Sequence, residues 1–160
     1  MKKQLIILFI IIISTAITIG QSLSISDSLK LSAAIELVFE NFESPDFNEF
    51  ENISTDVIYC MICEETQVSE PGKYFFNRKE FFDFYIKTIS QYDIWERALN
   101  SKKIFYHKTH SRNKKFGDMI AFFTVWEKDE WAKGHEVAVL GLQFKIVDEE
   151  FKFAGIETIP

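Results

Sequence analysis

Two cysteines, three histidines and a few isolated carboxylates are the residues of this chain whose types and spacing could do chemistry. Cys60 and Cys63 form Cys-Met-Ile-Cys. A redox pair of this spacing needs a helix N-terminus, whose dipole lowers the first thiol's pKa. Here Val57 to Cys63 reads as a strand, and no helical pattern follows until Asn77. On a regular strand, positions three apart point to opposite faces. A local disulfide would then require a bulge or a kinked strand end. The pair is read as two small core-type residues that the fold can spare, with their redox state open. The second ligand pair of the common zinc spacings is missing, so neither metal nor cofactor is expected.

His107 and His110 fall on opposite faces of one strand, and His135 opens a later strand beside Glu136. His107 could serve as a general base if its pKa sat near the working pH. Most carboxylates lie at helix starts or in turns, as in Glu127 to Glu130 and Asp148 to Glu150. Asp56, beside the first strand, and Asp93, within a long helix, are the exceptions. His107, Asp56 and Asp93 are the candidate catalytic residues, each with an ordinary solvated reading beside the chemical one.

The elements that must position these groups begin after an export signal. Met1-Lys2-Lys3-Gln4 precedes an apolar run from Leu5 to Ile13, with small residues beyond it. These are the three parts of a secretory signal peptide, with cleavage expected between Gly20 and Gln21. An uncleaved anchor is the alternative, because Ala16 to Ile19 extends the apolar stretch. Residues 21–160 then form one domain, exported to a periplasmic or extracellular setting. The membrane is met only during export. The formal charge of −6 falls by two, to −8, once Lys2 and Lys3 leave. That excess of acid argues against nucleic-acid binding, which needs a basic footprint. Seventeen phenylalanines supply ample apolar material for a core at this size.

Ser26-Asp27-Ser28 marks a helix start, and Leu31, Ile35, Val38 and Phe42 share one helical face. Ser44-Pro45-Asp46 opens a short second helix through Phe47 and Phe50. Asn77 with Glu80 three residues on resembles a capping box and opens the longest helix, striped by Phe81, Tyr85, Ile89, Tyr92 and Leu99. Lys103 to His110, Met119 to Glu127, Glu136 to Val147 and Phe151 to Ile159 read as strands of a meander. Between the first two, Arg112-Asn113-Lys114-Lys115 reads as a basic hairpin tip. The expected class is α+β, with N-terminal helices packed on a curved, mainly antiparallel sheet.

This order of elements, with the Ser44-Pro45-Asp46 step and the strand-rich end, resembles the nuclear transport factor 2-like superfamily. That cone-shaped fold is shared by ketosteroid isomerase and the polyketide-cyclase-like proteins, and the likeness covers roughly residues 27 to 160. A cystatin-like helix-plus-meander fold is the alternative. The resemblance implies a sheet wrapped around the long helix and a pocket at its wide end. Its enzymes pair a carboxylate base with donors to an oxyanion. No such set matches here residue by residue, which puts enzymatic activity in doubt.

The leading expectation is a non-catalytic domain binding a small apolar or amphipathic ligand. Tyr59, Phe81, Tyr85, Trp95, His107, Phe123 and Phe144 are the expected lining, because aromatic side chains and one imidazole suit such a ligand. A lyase, isomerase or hydrolase working through His107 or a carboxylate is the second reading. A structural or partner-binding module with a filled core is the third. A homodimer through the outer sheet face is also expected. Ile120, Phe122 and Trp126 share one side of their strand while Met119, Ala121, Phe123 and Val125 share the other, so one apolar set is left over.

Overall fold

A computed structural model describes residues 23–65, 71–109 and 117–159. The expected export segment, His110 and the expected basic hairpin tip lie outside the described residues. Helix α1 (Ile25–Glu43) starts one turn earlier than its expected cap cluster. Ser24 is the cap, its Oγ accepting from the Asp27 backbone N–H at 3.0 Å. Leu31, Ile35, Val38 and Phe42 are buried, as their spacing demands. Helix α2 (Phe47–Ile53) is capped by Asp46 rather than Ser44, through a 3.0 Å bond from the Glu49 N–H. Ser44 instead closes α1, its own N–H donating to the Glu40 carbonyl.

Strand β1 (Ser54–Cys60) ends in a 3-10 turn at Ile62–Glu65, and a short strand β2 (Phe75–Asn77) follows. The expected long helix is three short ones: α3 (Arg78–Phe84), α4 (Ile86–Ile89) and α5 (Asp93–Leu99). Its start is as expected, with Asn77 Oδ1 accepting from the Glu80 N–H at 2.9 Å. Its continuity fails for local reasons. β-Branched Ile86, Thr88 and Ile89 crowd the preceding turn, and Ser90 turns its hydroxyl onto the Lys87 carbonyl. Tyr92 is extended, and Asp93 begins a new helix with acid at its positive end.

Strands β3 (Ile104–Lys108), β4 (Met119–Trp126), β5 (Ala138–Val147) and β6 (Glu150–Ile159) complete one six-stranded sheet in the order β2-β1-β6-β5-β4-β3. β1 pairs with β6 in parallel and every other pair is antiparallel, so the sheet is mixed and the class is α+β. The parallel pair depends on Gly155. A Cβ there would lie 2.5 Å from the Tyr59 carbonyl oxygen, closer than any side chain allows.

The helices cover one face. Met119, Ala121, Phe123 and Val125 of β4 point to them with Leu140, Leu142, Phe144, Phe153 and Ile156. Phe42 stacks on Trp95 at 4.2 Å between ring centroids, with Phe81 at 6.2 Å and Phe153 at 6.0 Å, and Phe50 stacks on Phe81 at 6.0 Å. Ile120, Phe122 and Val139 form a smaller cluster on the other face. Trp126 does not join them. The register shifts between Thr124 and Trp126, and Trp126 packs on the main core beneath the Arg97 guanidinium.

The cysteines correct the strand argument. Cys60 and Cys63 form a disulfide, and both are fully buried. Cys60 is the last residue of β1 and points into the core. From there the 3-10 turn, at about three residues per turn, carries Cys63 back to the same side. The alternation that would separate the two thiols ends at the first of them.

Candidate functional site

The seven expected lining residues do not meet in one pocket. Phe81, Tyr85, Trp95 and Phe144 are core residues, no more than 2% exposed and packed ring against ring. Tyr59 lies on the opposite sheet face, in register with Gly155, its ring tilted against that of Phe75 at 5.4 Å. His107 pairs with Ile120 on β3 and is exposed. Phe123 alone reaches an open site. The catalytic candidates are also apart. Asp56 is an exposed partner of Arg78, and Asp93 pairs with Arg97 at 3.0 Å in the first turn of α5. Both carboxylates are held in ion pairs with guanidiniums at the surface, which suits structure better than chemistry. β1 and β3 stand four steps apart in the sheet, roughly 19 Å, so Asp56 and His107 cannot act on one atom. No group of three or more His, Cys, Asp or Glu side chains suited to a metal ion occurs among the described residues.

The open site that Phe123 reaches is a groove of about 330 Å³ between α1 and β3. Ile35 and Phe39 of α1, Ala98 at the end of α5 and Phe123 make its apolar floor. Phe39 also meets the Trp95 ring at 5.0 Å and the Phe123 ring edge-on at 5.4 Å, so core packing holds the floor rigid. Ile104 and Tyr106, successive side chains on one face of β3, form one wall. Glu36, Glu40 and Glu43 form the other, because their spacing of four and three residues puts them on one helical edge. All three are exposed, and none forms an ion pair among the described residues. The groove therefore pairs an apolar floor with an uncompensated negative rim, which suits an apolar body carrying a cation.

A larger groove of about 600 Å³ runs between α1 and the β5–β6 hairpin. Its cations are already engaged: Lys30 donates to the Glu149 carbonyl, and Lys152 to Asn52 and Glu150. Asp148 and Glu149, which also line it, form no ion pair among the described residues, but they sit beside the engaged Lys30 and Lys152.

The outer sheet face carries a polar pair inside an apolar surround. Gln143 is fully buried and donates its amide to Glu157 at 2.8 Å. Burial pushes the Glu157 carboxyl up, and that hydrogen bond partly offsets the effect. Burial, helped by the negative charge of Glu157, likewise raises the Tyr59 phenol. Phe122, Ile120 and Val139 flank the pair, and Phe105 of β3, 47% exposed, packs on Phe122 at 5.3 Å. The outward set of β4 is thus Ile120 and Phe122.

Of these groove residues only Phe123 was an expected lining residue; Ile35 was expected in the buried stripe of α1, and Phe39, Ile104, Tyr106 and the three glutamates had no expected role. The glutamates did carry a signal, an acidic row directly beside the buried stripe of α1. Compared with known proteins, the chain matches no family model and no curated protein.

Proposed function

We propose that this chain is an exported, non-catalytic binding domain of the nuclear transport factor 2-like type, with its ligand seat in the α1–β3 groove. The observation that carries the reading is the groove itself: an apolar floor of Ile35, Phe39 and Phe123 beside Glu36, Glu40 and Glu43, which form no ion pair among the described residues. The ligand is amphipathic, with an apolar portion on the floor and a cationic group at the rim. Catalysis is disfavoured because Asp56, Asp93 and His107 stand on separate surfaces. The helix-first order and the strand-rich end support the superfamily assignment. Export is supported twice, by the Lys2-Lys3 and apolar leader and by the Cys60–Cys63 disulfide, since such bonds persist in oxidising compartments.

A two-fold dimer through the outer sheet face belongs to the same proposal. Phe105, 47% exposed, is the open apolar residue it would cover, with Phe122, Ile120 and Val139 packed beneath it.

The test of the binding claim is a titration with decyltrimethylammonium, kept below micelle formation and followed by tryptophan fluorescence. Trp95 reports on the site through Phe39. Saturable binding is expected, with none for decyl sulfate. Equal binding of both amphiphiles, or of neither, would contradict the proposal.

A further inference from the structure

The groove has a second property that a small amphiphile would leave unused. β3 is the last strand of the sheet, so one side of its backbone has no strand beside it among the described residues. The ladder shows which groups lie on that side. The Thr124 N–H donates to the Lys103 carbonyl at 3.1 Å, and the Thr109 N–H to the Asp118 carbonyl at 3.0 Å. In an antiparallel ladder the bonded pairs recur at every second residue. Residues 103, 105, 107 and 109 therefore turn their backbone toward β4, and Ile104, Tyr106 and Lys108 turn theirs to the open edge. Ile104 and Tyr106 are also the residues whose side chains wall the groove. One stretch of chain thus offers strand-pairing groups and an apolar wall together, with a row of free carboxylates facing it across the groove.

Resting on the reading of this groove as the ligand seat, we infer that the natural ligand is an extended peptide segment of a partner protein, added to the sheet as a seventh strand beside β3. Main-chain hydrogen bonds to Ile104, Tyr106 and Lys108 would supply affinity. Side-chain alternation would supply specificity. Every second residue of the added strand faces α1, where Glu36, Glu40 and Glu43 select lysine or arginine. The aliphatic stems of those cations would lie along Ile104 and Tyr106. The intervening residues face the other way, beside Phe105, and are best apolar. The partner segment therefore alternates basic and apolar residues. Lys108, on the same face as Ile104 and Tyr106, sets one end of the acidic stretch, so the basic positions fall toward Ile104.

The test uses the whole mature protein and a short capped peptide alternating lysine and valine. Binding should protect the Ile104, Tyr106 and Lys108 amides from hydrogen exchange. Replacing Glu36→Gln, Glu40→Gln and Glu43→Gln together should weaken the peptide about tenfold or more, since rim charges are lost without touching the core. Two further peptides carry N-methyl groups, one on every lysine and one on every valine. Pairing with β3 uses the N–H groups of one set only, so one methylated peptide should lose binding and the other retain it. If both bind as well as the parent, strand addition is overturned. If decyltrimethylammonium binds and the peptide does not, the peptide inference is overturned and the groove reading stands. If neither binds, both are overturned.

Discussion

The two faces of α1 show the difference between aromatic residues used for packing and ordinary residues left to bind. Toward the sheet, α1 buries Phe42 against Trp95 and joins a cluster with Phe50, Phe81 and Phe153 that leaves no exposed ring. Along its edge, α1 presents Glu36, Glu40 and Glu43 to a groove floored by only a few apolar side chains. Both regions are apolar at base, but only the second combines open volume with unmatched charge. Aromatic richness by itself therefore marks a core, and a binding site is marked by chemistry the fold leaves unsatisfied.

Breaking the packed side should have the largest effect. Phe81→Ala removes a fully buried ring touching Phe42, Phe50 and Phe153, and should cost about 3–5 kcal/mol in denaturant unfolding. A loss under about 1 kcal/mol would show that this cluster collapses easily and is not the rigid support described.

The disulfide ranks next. Replacing Cys60→Ser and Cys63→Ser frees a loop closed over a sequence separation of 3, and chain entropy puts the loss at about 2 kcal/mol. The oxidised wild type should also lose stability on reduction. Indifference to reductant would restore the reading of two dispensable thiols.

Smaller in stability, but visible in assembly, is Phe105→Asp. Phe105 is half exposed, so the charge should leave circular dichroism unchanged while light scattering at micromolar concentration falls from dimer to monomer mass. A wild type that is already monomeric at every concentration would refute the dimer. Phe122, only 8% exposed, is the poorer choice because a buried Asp would also disturb the fold.

The smallest effect concerns pH. Burial raises Glu157 in the folded state, so the folded protein holds its proton more tightly than the unfolded chain does. Stability is then full below the ordinary carboxylate range and declines as pH rises through the raised value. Glu157→Gln keeps an acceptor for the Gln143 amide and removes the titration. The variant should gain slightly on wild type as pH rises across that window, read from thermal melts. An unchanged difference at every pH would remove Glu157 from the account.

Much of the fold was legible because it rests on local pattern. The buried stripe of α1, the Asn77–Glu80 helix start and five of the strands follow from spacing and β-branched content alone. The break of 77–99 into three helices was not read, because its local causes, β-branched Ile86, Thr88 and Ile89 and the Ser90 hydroxyl on the Lys87 carbonyl, are each only mildly unfavourable to a helix. The disulfide was missed because strand alternation was carried past Cys60, where β1 ends. The groove was missed for a different reason: it is bounded by α1, α5 and β3, and only the sheet order brings Glu40 opposite Tyr106. No spacing within one element encodes that meeting.

The central claim is that ligand binds between α1 and β3, and site-resolved NMR during the decyltrimethylammonium titration tests it most directly. Amide signals of Ile35, Phe39, Ile104 and Tyr106 and methyl signals of Ile35 and Ile104 should shift together along one saturable curve, while those of Ile120 and Val139 on the outer face stay still. Shifts centred on the outer face, or absent from the groove, would contradict the account.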